Sequence, residues 1–224
     1  MSSGIQWDQT TFPILDSRND IAGMQAALDP WRFYLTRTLT SDPGNVFLHS
    51  EGSINVVGEV IRRASGLRLD DFADRYLFGP LGITGAWWYS PRPDIGWVWA
   101  SGDLRLRPRD MARFGQMYLR GGSWDGTRIV STDWVRASTR RRFTLPQTYQ
   151  GDTGYGYAWW QPNPLHGVDA YAARGWGGQE IEVLPAFDLV VAVTAEAYSR
   201  EPIMWPHALI ERYVLPAMES ADAG

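Results

Sequence analysis

Tyr171 to Glu196, YAARGWGGQEIEVLPAFDLVVAVTAE, leaves this chain few folds to choose from. The stretch reads as short strands joined by tight connections. Tyr171 to Arg174 enters as a strand and runs into Gly175-Trp176-Gly177-Gly178. Glu180 to Leu184 alternates polar and apolar residues, and a period of two predicts a strand with one buried face. Pro185-Ala186-Phe187-Asp188 is a turn, because proline and aspartate break a ladder and favour tight bends. Leu189 to Ala195 is apolar and β-branched, the pattern of a strand covered on both faces. Together these predict an antiparallel meander at the core of a larger sheet. The glycines admit two readings: a backbone that something approaches closely, or a bend that lets a helix pack.

Composition excludes several chemistries. All 21 basic residues are arginine and there is no cysteine, so lysine amines, thiolates, disulfides and cysteine-zinc sites are ruled out. His49, His166 and His207 lack metal-ligand spacing, and no metal or other cofactor is expected. Net charge is −4, and the basic block Arg140-Arg141-Arg142 suits a solvated helix end better than a nucleic-acid surface. No run reaches the ~18 apolar residues of a membrane span. Met1 to Phe12 has neither the basic start nor the apolar core of a signal peptide, which reads as a cytoplasmic chain as given.

Along the chain, helices are expected at 20–28 and 30–39, then after the turn Ser41-Asp42-Pro43-Gly44. The third should bury Ile54, Val57 and Ile61, with Val56 and Val60 beside them, and end at Gly66. A fourth should start at a capping Asp70, carry Leu69, Phe72, Ala73 and Tyr76 on one stripe, and stop at Gly79-Pro80. Residues 81–99 read as an aromatic loop. Helices follow at 108–120 and 132–140, the latter capped by Ser131. A polar loop (143–153), a strand (155–161) and a proline-broken connection (161–167) lead into the meander, and a last helix spans 202–218. This order gives an α+β fold: one 224-residue domain, mainly helical over 1–150, with antiparallel strands and a C-terminal helix over 151–224.

The polar cluster with chemical potential is His49-Ser50-Glu51-Gly52, at a turn before an apolar helix. Its plainer reading is that Ser50 or Ser53 caps the helix while Glu51 favours its positive end. There is no Gly-x-Ser-x-Gly elbow, and a Ser-x-x-Lys dyad cannot exist without lysine. Gly175-Trp176-Gly177-Gly178 opens into a strand, so it fails the context of a dinucleotide loop.

The blocks SSGIQWD, PGNVFLHSEGSINVVGEVIRRASG, FADRYLFGPLGIT, SGDLRLRPRDMARFGQMYLRGGSWDGTRIV, YGYAWW and ARGWGGQEIEVLPAFDLVVAVTAE occur in that order. In this the chain resembles the serine β-lactamase-related hydrolases, the branch holding class C β-lactamases, related esterases and 6-aminohexanoate-dimer hydrolases. The resemblance implies an antiparallel sheet flanked by helices, a helical lobe, and hydrolysis of a small ester, amide or lactam through a serine ester. Three family motifs carry that chemistry: Ser-x-x-Lys, Tyr-x-Asn, and Lys-Thr-Gly or His-x-Gly. The second aligns with His49-Ser50-Glu51, where histidine replaces tyrosine and glutamate replaces asparagine. The third aligns with Ala173-Arg174-Gly175, where alanine replaces lysine or histidine. The first precedes, in the family, the block that SSGIQWD resembles, so the N-terminal helix and first strands are expected to be missing here. Such a chain would leave a strand edge open and call for a complementing N-terminal polypeptide. The family is often exported.

The resemblance thus implies His49 as general base with Glu51 beside it, and Ser50, Arg174, Gly175 and Trp176 as substrate-binding positions. Arg174 can hold a substrate carboxylate with its planar fork, or sit in a surface ion pair. Three functions stay open: part of a hydrolase that is inactive alone; a non-catalytic binder of a small ligand, peptide or glycan using Trp87, Trp88, Trp97, Trp99 and Trp176; or a catalyst that pairs Ser50 with His49.

Overall fold

Short polar side chains start the first two helices. In the computed structural model, which describes residues 1–146, 152–162, 169–196 and 206–222, Asn19 accepts from the Ile21 amide to cap α1 (Asp20–Ala26). Asp29 does the same for Arg32 at the head of α2 (Pro30–Leu35), with Pro30 in the first turn. Helix α2 ends before Leu39 because the chain leaves to pair with the N-terminal segment: Ile5 bridges Leu39, and the Gln6 amide bonds the Thr38 carbonyl.

Ser50 caps α3 (Glu51–Ser65), and Gly66 ends it in the left-handed region at φ 73°. Part of the face expected to be buried is turned outward: Val57 is 53% and Val60 58% exposed, while Ile54 and Ile61 are half-buried and Val56 packs against the core. Gly52, Asn55, Gly58 and Glu59 face inward instead. The cause is close approach: a Cβ on Gly52 would lie 2.4 Å from Tyr34 Cδ2 and 2.7 Å from Trp7 Cζ3. Glu59 is tolerated inside because Arg62 and Arg63 bind it at 2.7 and 2.6 Å. Next, α4 (Leu69–Ala73) runs into one wide turn over Asp74–Phe78. Asp70 does not cap it; Arg68 stands at the cap position and its guanidinium holds the Asp70 carboxylate at 2.9 Å. Within the aromatic loop, β1 (Trp87–Trp88) pairs antiparallel with β2 (Leu104–Arg105).

These elements form the first of two compact units, Met1–Gly79 with Thr84–Arg105. Its core is Trp7, Ile21, Met24, Tyr34, Trp97 and Trp99. Trp97 and Trp99, expected among the contact surfaces of a binding protein, are thus core residues.

The second unit comprises Pro80–Ile83 and Leu106–Gly224. In it α5 (Pro108–Leu119) is stopped by Gly121 and Gly122, at φ 61° and 96°. A small hairpin, β3 (Ser123–Trp124) with β4 (Thr127–Arg128), leads to α6 (Thr132–Thr139), capped by Ser131. Six antiparallel strands follow: β5 (Phe143–Thr144), β6 (Asp152–Tyr155), β7 (Trp160–Pro162), β8 (Tyr171–Arg174), β9 (Glu180–Leu184) and β10 (Leu189–Val193), adjacent in that order. The expected polar loop therefore holds β5 and the start of β6, and its residues 147–151 lie outside those described, as do 163–168 of the connection that follows.

The single strand expected over 155–161 is a reversal between β6 and β7. Ala158 takes φ 61°, and Gly156 turns where a Cβ would lie 2.2 Å from the Ser138 carbonyl oxygen. Helix α5 packs on β9 and β10 at Gly115, where a Cβ would meet Val190 at 2.5 Å and Ile181 at 2.8 Å. Strand β10 is half-buried throughout rather than covered on both faces, and among the described residues it is one edge of the sheet, β5 being the other. The last helix appears as α7 (Pro206–Leu209), a wide turn over Ile210–Val214, and α8 (Leu215–Asp222); its expected start at Pro202 lies outside the described residues. Ile210 and Leu215 pack with Ala170 and Leu184, while Leu209 and Tyr213 are exposed.

Candidate functional site

The candidate residues fall into two groups, one in each unit. The first is built on the entry to α3. Ser50 is 1% exposed, and its oxygen accepts from the Ser53 amide at 3.2 Å, so it is occupied as the helix cap. Beside it, the Tyr34 hydroxyl lies 2.8 Å from Ser3 Oγ and 2.5 Å from Ser53 Oγ.

Gln9 organises His49. Its Oε1 accepts from Trp7 Nε1 at 2.6 Å and from the Glu51 amide at 3.0 Å, and its Nε2 lies 3.2 Å from His49 Nδ1. His49 is half-buried, and burial lowers its pKa, favouring the neutral ring.

Glu51 points to a different partner. Ser101 Oγ donates to Glu51 Oε2 at 3.1 Å and receives Asn55 Nδ2 at 3.0 Å. Asn55 Oδ1 in turn accepts from the Ala100 amide at 3.1 Å. Burial raises the Glu51 pKa, and the Ser101 hydrogen bond offsets part of that rise.

The second group lies on one face of β8 and β9, where Arg174 is registered opposite Glu180. Arg174 Nε meets Glu180 Oε1 at 3.0 Å and Nη1 meets Asp152 Oδ1 at 2.5 Å. The side chains are 13% (Arg174), 0% (Asp152) and 2% (Glu180) exposed, so this is a buried ion pair whose carboxylates come from the protein itself. Arg174 Nη2 is a buried donor with no hydrogen-bond partner among the described residues.

Strand β9 was expected to expose its glutamates, yet all of its residues are buried. Burial pushes the Glu180 pKa up to about 8 against the pull of Arg174, and a hydrogen bond with Glu182 raises it further. Arg174, facing both Asp152 and Glu180, is the cation that lets these acidic side chains share the sheet's interior.

The glycine stretch beyond Arg174 combines both readings made of it. Gly177 and Gly178 take φ 104° and 88°, which only glycine adopts readily, and a Cβ on Gly175 would lie 2.9 Å from Gln179 Oε1. Trp176 is 73% exposed at the tip. Among the described residues no group of three or more histidines or carboxylates could hold a metal ion.

Sequence reasoning placed His49, Ser50 and Glu51 together and missed Gln9, Ser101 and Asn55. Asn55 was detectable, as a polar residue inside an apolar helix. Gln9 lies 40 positions from His49 and offers no local signal.

Comparisons with known proteins agree with this architecture. The beta-lactamase family model matches residues 1–208. The 6-aminohexanoate-dimer hydrolase of Paenarthrobacter ureafaciens is 26% identical over 193 residues, covering 83% of this chain; the chain spans 48% of that relative's length. Among solved structures, a Bacillus anthracis protein assigned to the 6-aminohexanoate-dimer hydrolases superposes with a TM-score of 0.75 at 20% identity, covering 98% of this chain and 59% of the other. The D-amino acid amidase of Ochrobactrum anthropi gives 0.67 at 13% identity, covering 100% and 70%. At these identities the structural likenesses establish the fold.

Proposed function

Because the chain belongs to the beta-lactamase family, we propose that it forms part of a serine-hydrolase site for a small ester, amide or lactam and does not complete the reaction by itself. The observation that carries this reading is the absence of lysine from all 224 residues, which leaves no Ser-x-x-Lys pair and no lysine to activate a serine. Ser50, the middle residue of the aligned second motif, is a poor substitute, since its oxygen is buried in the helix cap. Loss of a hydrolase nucleophile commonly costs several powers of ten in rate.

In this reading His49 and Glu51 stand at the second-motif position, Arg174 and Gly175 at the third, and Trp176 follows directly after it. The names of the relatives, a 6-aminohexanoate-dimer hydrolase and a D-amino acid amidase, favour an amide among the three substrate classes. Arg174 acts by holding the β8–β9 backbone beside the glycine stretch, because its own carboxylate partners already occupy it. A complementing polypeptide would bring the nucleophile.

The test is turnover of nitrocefin, a p-nitrophenyl ester and a 6-aminohexanoate dimer by the purified 224-residue chain, with Ser50→Ala as control. The expected result is hydrolysis no faster than buffer for both proteins. Turnover abolished by Ser50→Ala would overturn the reading.

A further inference from the structure

The amide of Gln9 has a fixed sense. Two N–H groups, from Trp7 and the Glu51 backbone, point at its Oε1. Turning the amide over would set its NH2 against both donors, so the oxygen must stay where it is. Nε2 is then the end that faces His49, and it can only donate. His49 Nδ1 must accept, and a neutral imidazole that accepts at Nδ1 carries its proton on Nε2.

We infer that Gln9 is a positioning residue that holds His49 as the neutral Nε2–H tautomer, so that the histidine enters the site as an N–H donor and not as a general base. The inference rests on the proposed placement of His49 at the second-motif position for its meaning in catalysis, but not for its chemistry. Nδ1 has its lone pair engaged by Gln9, and Nε2 already holds a proton, so neither nitrogen can take a proton from a nucleophile without breaking the Gln9 contact. What the ring carries at Nε2 is therefore an N–H, a donor and not an acceptor. The general-base role expected from the sequence is replaced by this one. The lowered pKa of the ring agrees with a neutral group near pH 7.

The test reads the tautomer directly, without reference to activity. Long-range 1H–15N spectra of the full chain labelled with 15N-histidine show three imidazoles, and His49→Asn identifies the one of interest. The expected pattern above neutral pH is a protonated Nε2 and a pyridine-like Nδ1. Gln9→Glu keeps an oxygen for Trp7 and Glu51 and turns a second oxygen toward Nδ1, so the proton should move to Nδ1. A wild-type spectrum with Nδ1–H overturns the inference by itself, whether or not the variant folds, and so does a folded Gln9→Glu protein whose tautomer is unchanged. A chain that hydrolyses substrate yet shows Nε2–H would defeat the proposed function and leave this inference standing; an inactive chain with Nδ1–H would do the reverse.

Discussion

Burial makes Glu180 hold its proton more tightly in the folded chain than in the unfolded one. Its folded pKa of about 8 lies above the ordinary 4.5, so its contribution to stability is greatest below pH 4.5 and falls as pH rises toward 8. Glu180→Gln keeps an acceptor for Arg174 and a donor for Glu182 while removing the titration. The variant should gain stability relative to wild type as pH rises through that window, seen as a growing difference in Tm, with about 2–4 °C for each kcal/mol in a protein of this size. A constant difference would contradict the assignment. Arg174→Met is the opposite perturbation. It leaves Asp152 and the glutamates without their cation, and breaking a buried pair costs about 3–5 kcal/mol. Urea denaturation should show that loss; a change within the ordinary surface range would mean that the pair is solvated. None of this was readable in Glu-Ile-Glu-Val, where alternation suggested a solvent face. The opposite charge that allows it to be buried comes from Arg174 on the neighbouring strand.

Helix α3 shows what local sequence encodes and what it does not. Its ends follow from Ser50 and Gly66, because caps act within a few residues. Its inward face does not, because the count of apolar residues favours Ile54, Val57 and Ile61, whereas the rings of Trp7 and Tyr34 require a glycine. Gly52→Val should therefore cost stability in the upper part of the about 1–3 kcal/mol typical of overpacking. Val57→Ser, on the exposed side, should stay within about 0.5 kcal/mol. Equal effects in a denaturation series would show that the inward face is wrongly assigned. The meander was legible for the same reason as the caps: strands β8 to β10 are joined by short turns, so pattern and pairing are both local. The reversal at Gly156 was not, since a carbonyl from Ser138 sets it.

At the scale of the molecule, ordered blocks along the chain disclosed the family and the α+β fold before any coordinate did. The two compact units were not legible, because the chain enters the second unit at 80–83 and returns to the first over 84–105. Nor was Gln9, whose link to His49 exists only after folding. On the proposed function, the chain contributes to a family site without supplying its reacting serine, and none of its 224 residues is a lysine. Intact-mass spectrometry of the purified chain after saturating treatment with a fluorophosphonate serine probe tests this most directly. The account predicts an unmodified mass; a stoichiometric adduct on Ser50, or on any serine of the chain, would contradict it.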